Sequence, residues 1–118
     1  MKILVTGGRD YADEDHVLLT FKLFIHEHGK PDLLIVGDAT GADSLARVIA
    51  YELDIPVEVH YADWSLWGKR AGIIRNAEMV AREPDFLLPF PGGKGTADCI
   101  MRCVRKKIPL YSVRRDDE

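Results

Sequence analysis

The sequence predicts an α/β domain in which helices cover both faces of a mainly parallel, five-stranded sheet. Short apolar runs recur at regular intervals along the 118 residues, segments with helical periodicity separate them, and glycine-rich turns follow the runs. Alternation of this kind requires crossover connections, and crossovers produce parallel strands with helices packed against the sheet.

The strand candidates are "KILV" at 2–5, "DLLIV" at 32–36, "PVEVH" at 56–60, "DFLLPF" at 85–90 and "PLYSV" at 109–113. Each spans four to six residues and is bounded by Gly, Pro or Asp, which reads as strand. The first, second and fourth are nearly continuously apolar, as burial on both faces demands. The first helix is expected within 13–28, where Val17, Leu18, Phe21, Leu23, Phe24 and Ile25 form an apolar side. Leu45, Ala46, Val48, Ile49 and Leu53 do the same for 42–53. Two later helices run through Ile73, Ile74, Ala77 and Val80, then through Ile100, Met101 and Val104. With right-handed crossovers these elements make a three-layer, Rossmann-like domain. One domain over 1–118 is expected, with a charged, frayed tail at 114–118. The long connection 60–72 carries Trp64 and Trp67, and long connections in small domains are often functional.

Composition excludes several classes. A net charge of −3 lacks the basic footprint of a double-stranded nucleic acid binder. The apolar "ILV" after Met1-Lys2 is too short for a signal peptide, and no run of 18 apolar residues offers a membrane span, so a cytoplasmic protein is expected. Cys99 and Cys103 lie four apart on one helix, a poor geometry for a disulfide, and are read as buried thiols in a reducing compartment. The "HEH" at 26–28 has no clear metal partner, and His60 is read as structural. No metal and no cofactor are expected.

In open parallel sheets, ligands sit beyond the carboxyl ends of the strands. The segments there are "TGGRDY" at 6–11, "GDATGAD" at 37–43, the tryptophan connection, and "PGGKGTAD" at 91–98. A helix that starts after a glycine turn presents unpaired amides and a positive dipole end, and the missing β-carbons let a phosphate approach. "PGGKGT" before the last helix is the best candidate for such a cradle. It is not a Walker A loop, because Gly95 follows Lys94, and "TGGRDY" is not a GxGxxG fingerprint. Structural roles compete. The glycines could supply turns only, Thr40 and Asp43 fit a capping box, and Asp98 could merely complement the helix dipole. Arg9 and Arg75 could be solvated, and the tryptophans could pack in the core or at a subunit contact.

Taken together, "VTGGRDY", "GDATGADSLA", "GIIRNAEMV" and "PFPGGKGTAD" resemble the SLOG superfamily over nearly the full chain. This is the Rossmann-like domain shared by Smf/DprA proteins and the Lonely Guy phosphoribohydrolases, and the resemblance is strongest to the small YspA-type, YpsA-related branch. It implies a nucleotide or sugar-phosphate ligand across the strand ends. Matching positions imply ligand contacts from Thr6, Gly7, Gly8, Arg9 and Asp10, from Gly37, Asp38, Gly41, Ala42 and Asp43, and from Asn76. Pro91, Gly92, Gly93, Lys94, Gly95 and Thr96 match the phosphate loop of the Lonely Guy enzymes. Arg75 and Asp98 match their catalytic arginine and acid, although Asp98 is one methylene shorter than Glu and Cys99 stands at the second acid. The implied reaction is cleavage of the N-glycosidic bond of a nucleoside monophosphate, with a non-catalytic nucleotide sensor as the alternative. Single-stranded nucleic acid binding, as in Smf/DprA proteins, is disfavoured by the acidic balance. Homo-oligomerisation is expected by analogy with the Lonely Guy enzymes.

Overall fold

A computed structural model of the chain describes residues 1–114. In chain order the elements are β1 (Lys2–Thr6), α1 (Glu14–His28), β2 (Leu33–Gly37), α2 (Ala42–Glu52) and β3 (Val57–His60). The short helix α3 (Trp64–Trp67), a 3-10 turn (Gly68–Arg70), α4 (Ala71–Ala81), β4 (Phe86–Pro89) and α5 (Lys94–Arg105) follow. Among the described residues the sheet has four strands in the order β3-β2-β1-β4, all parallel.

The alternation within each strand decides the layers, because successive side chains point to opposite faces. Ile3, Val5, Leu34, Val36 and Leu88 pack with Val17, Phe21 and Phe24 of α1 and with Ala46 and Ile49 of α2. Leu4, Ile35 and Leu87 point the other way, to Met79 and Val80 of α4 and to Cys99 and Cys103 of α5. Leu4, Ile35 and Leu87 are fully buried, and each side chain of this type contributes roughly 1.5–3 kcal/mol to folding. The two cysteines are free, buried thiols. The contact with Cys103, reinforced by burial, pushes the Cys99 thiol up.

The expected fifth strand is a correction. Residues 109–113 make one parallel bridge, Leu110 opposite Leu87. Leu87 N–H donates to the Pro109 carbonyl at 2.9 Å, and Tyr111 N–H donates to the Leu87 carbonyl at 2.8 Å. The ladder stops there because Pro109 has no N–H to extend it and the following residues are drawn onto α1. The Tyr111 ring sits edge-on to Phe24 with centroids 5.2 Å apart, its hydroxyl bonds Glu27, and the Val113 carbonyl accepts from His16 Nε2 at 2.6 Å. Of the expected tail at 114–118, all beyond Arg114 lies outside the described residues.

The expected helices appear with ends moved by a residue or two at most where a boundary was drawn. Asp13 caps α1, its carboxylate accepting from His16 N–H at 3.1 Å. Connection 60–72 contains helical structure that periodicity does not reveal in so short a stretch. Its local signal is Asp63, which caps α3 by accepting from Leu66 N–H at 3.0 Å.

Strand order creates the crevice. From β1 the chain moves outward through β2 to β3, then crosses back to place β4 on the other side of β1. The switch point therefore lies between β1 and β4 at their carboxyl ends, where open α/β sheets bind ligands. Thr6 pairs with Pro89 and Gly37 with His60, so the strands end level and their loops share one edge.

Candidate functional site

Three glycine loops are stitched together at that edge. Gly8 N–H donates to the Pro91 carbonyl at 2.8 Å, joining the loop after β1 to the loop after β4. The Gly8 carbonyl in turn accepts from Ala42 N–H at 3.1 Å, and the Thr40 hydroxyl donates to the Arg9 carbonyl at 2.8 Å. Both contacts join the loop after β1 to the start of α2. Such closeness demands glycine at position 41: its φ is +73°, and an added Cβ would stand 2.3 Å from the Gly8 carbonyl oxygen. Thr40 and Asp43 do not form the expected capping box. Gly41 occupies the cap of α2, without a side-chain bond, and the Asp43 carboxylate accepts from Ala39 N–H at 3.2 Å instead.

Between these loops lies a cleft of about 180 Å³. It is lined by Thr6, Gly7, Gly8, Arg9 and Asp43, together with Arg75, Asn76, Gly93, Lys94, Gly95 and Thr96. Ala39 and Met79, which sequence reasoning missed, complete the wall. A second recess of about 220 Å³ adjoins it, lined by Arg9, Asp38, Ala39, Thr40, Trp64 and Arg75. The two share Arg9, Ala39 and Arg75. Asp10, Gly37, Gly41, Ala42, Pro91 and Gly92 line neither space; they belong to the loops that shape it. Gly37, at the end of β2, is one of these supports: a Cβ there would meet Asp43 Oδ2 at 2.8 Å and Arg75 Cζ at 3.1 Å.

The floor of α5 is open. Its cap residue is Gly93, which makes no side-chain cap bond, so the first-turn amides lack an intrahelical acceptor and, among the described residues, a capping side chain. An added Cβ at Gly93 or Gly95 would meet nothing within 4 Å. Facing this turn is Arg75, whose side chain is only 12% exposed and whose Nη1 donates to Asp38 Oδ1 at 2.7 Å. Among the described residues the buried Nε–H of Arg75 has no hydrogen-bond partner. Arg9 and Lys94 add two exposed cations. Asp43 is buried, and that burial pushes its carboxyl up to about 6 against the opposing pull of Arg75 and the Ala39 amide.

Asp98 does not line the cleft. Its Oδ2 accepts from Asn76 Nδ2 at 3.1 Å and from Arg102 Nε at 2.9 Å. Asn76 Nδ2 also donates to the Gly95 carbonyl at 3.0 Å. Asn76 thus clamps α4 to the first turn of α5, with Asp98 holding the clamp from behind. Among the described residues there is no group of three or more His, Cys, Asp or Glu side chains placed to hold a metal. Nor is any described helix long and apolar enough to cross a membrane.

Known proteins resemble this chain in fold or in sequence. DNA processing protein A (DprA) from Streptococcus pneumoniae matches 98% of this chain with a TM-score of 0.76 at 12% identity, a likeness of fold alone. This chain spans half of that protein. Gene 61 protein of Mycobacterium phage D29 is 33% identical over 118 residues, covering 94% of both chains. The model of the YspA, cpYpsA-related SLOG family matches residues 1–67, which hold the first two glycine loops. With that match and that relative, the chain belongs to the YspA, cpYpsA-related SLOG family.

Proposed function

We propose that the cleft binds a nucleotide-type ligand, with its phosphate on the amides of residues 93–96 and its sugar toward Asp43 and Arg75. The observation that carries this is the uncapped first turn of α5, opening beside Arg75, Arg9 and Lys94. Backbone N–H groups, the helix dipole and guanidinium groups converge there, each favouring a phosphoryl oxygen. The buried Arg75 Nε–H is a donor ready for a ligand acceptor.

A second reading, N-glycosidic cleavage, is favoured by Asp43. A carboxyl with its pKa raised to about 6, beside the sugar position proposed above, suits acid–base work near neutral pH. In that reaction water forms the new bond to the sugar's anomeric carbon and gives up a proton. The N-glycosidic electron pair leaves with the base, which takes up a proton. The positive charge developing on the sugar is stabilised by carboxylate. In this scheme Asp43 holds the role that the family resemblance assigns to Asp98, and Asp98 acts as a positioning residue through Asn76.

The test is to incubate the purified protein with nucleoside monophosphates, measuring thermal stabilisation and base release together. Stabilisation with the nucleotide recovered intact supports a sensor. Base release that falls about 100-fold or more in Asp43→Asn, but far less in Asp98→Asn, supports cleavage by Asp43. If no monophosphate stabilises the fold, the nucleotide-binding proposal is wrong.

A further inference from the structure

We infer that the second recess is a nucleobase subsite in which Trp64 is the stacking face. This rests on the nucleotide reading and extends it, because it separates nucleotides from sugar phosphates lacking a base.

The recess adjoins the phosphate cleft through Arg9, Ala39 and Arg75, so one ligand can occupy both. Their chemistry differs in the way the two ends of a nucleotide differ. The first space holds Lys94 and the open amides of α5. The second holds the Asp38 carboxylate and the Trp64 indole, the one aromatic group in either lining. Lys94 and the open amides draw the phosphate to the first space, which leaves the Trp64 side for the uncharged, flat part of the ligand. Every nucleobase offers a π-face that stacks on an indole.

Trp64 is also held in place while half its surface stays open. It is 49% exposed, yet its ring rests near Gly72 of α4, where an added Cβ would lie 3.6 Å from Cη2. Asp63 fixes the turn below it through Leu66 N–H and the Ser65 hydroxyl, the latter at 2.7 Å. Ala62 N–H donates to Asp38 Oδ1 at 3.3 Å, the oxygen that also accepts from Arg75. The connection bearing Trp64 is thereby anchored to the side chains of the cleft itself. An aromatic serving only as core would not remain half exposed on the wall of a polar recess.

The experiment compares the four common ribonucleoside monophosphates with ribose phosphate. In a Trp67→Phe background, fluorescence reports Trp64 alone, since the chain has two tryptophans. Nucleotides are expected to quench that fluorescence and to bind about ten-fold or more tightly than ribose phosphate. Trp64→Ala should bring nucleotide affinity down to that of ribose phosphate and leave the latter unchanged, whereas Trp64→Phe should retain most of the difference. Circular dichroism and melting confirm folding of each variant. If nucleotides and ribose phosphate bind equally, or if Trp64→Ala alters only self-association, the subsite is refuted while anion binding stands. If neither compound binds, both proposals fall together.

Discussion

At Gly92 an added Cβ would stand 2.1 Å from Thr96 Oγ1 and 2.6 Å from the Gly8 amide nitrogen, whereas at Gly93 and Gly95 it would meet nothing within 4 Å. Four residues of one loop thus hold two opposite uses of glycine. Gly92, with Gly41 across the cleft, lets protein backbone approach protein backbone. Gly93 and Gly95 leave backbone bare toward the cleft. The first use builds the cleft and belongs to stability; the second leaves amides open to the ligand proposed above. A glycine-rich stretch is therefore a composite, and substitution can separate its parts.

The sharpest break in that comparison comes from Gly41→Ala. Positive φ and a 2.3 Å clash with the Gly8 carbonyl act together there, and strain and overpacking together should cost about 3 kcal/mol or more. Chemical denaturation would measure it. A loss below about 1 kcal/mol would show that the loops can part without penalty.

Asp43 sharpens the sealed side. Its carboxyl rises from an ordinary 3.8 to about 6 in the fold. The folded state then holds a proton that the unfolded state has released, so this group's contribution to stability declines as pH rises from about 4 to about 6. The decline is on the order of 3 kcal/mol. Asp43→Asn should remove it, so that wild type and variant diverge across that window in urea melts and run parallel above it. Because the variant is expected to be at least as stable at neutral pH, any loss of base release in it reports chemistry rather than unfolding.

The smallest effect on stability is expected on the open side. Gly95→Ala replaces a first-turn glycine of α5 and meets no neighbour, so it should leave stability unchanged or raise it by up to about 1 kcal/mol. The same methyl group would obstruct a phosphate resting on those amides, and thermal stabilisation by nucleoside monophosphates should drop at least several-fold. A variant that is both more stable and fully competent to bind would place the ligand elsewhere.

Much of this architecture was legible in the residues alone. The unbroken apolar run of Ile3, Leu4 and Val5 implied burial on both faces, and α1 and α2 followed from their apolar spacing. The family motifs fall at the sheet edge that borders the cleft. Three features were not legible. Residues 109–113 have the composition of a strand, but whether an edge segment extends a ladder depends on the neighbours that compete for it, here Phe24, Glu27 and His16. The motif match assigned the acid to Asp98, yet which carboxylate enters the cleft depends on what holds each one. Arg102 and Asn76 hold Asp98 outside it, while Asp43 stands near Arg75 from another layer. The connection bearing Trp64 was expected at the ligand edge, but which of its tryptophans lines the recess was not, and Trp64's place on the wall follows from the Ala62–Asp38 contact.

By itself the sequence determined the order of the first four strands and the longer helices, the burial of β1, β2 and β4 on both faces, and the position of the glycine turns at strand ends. These are local properties, set by periodicities of two and of about 3.6 residues and by the backbone freedom of glycine. Only the tertiary structure decided which glycines are crowded, which carboxyl is desolvated and which aromatic borders the cleft. Each of those depends on distances between residues far apart in the chain, such as Gly8 and Pro91 or Asp38 and Arg75, and such distances exist only once the layers have packed.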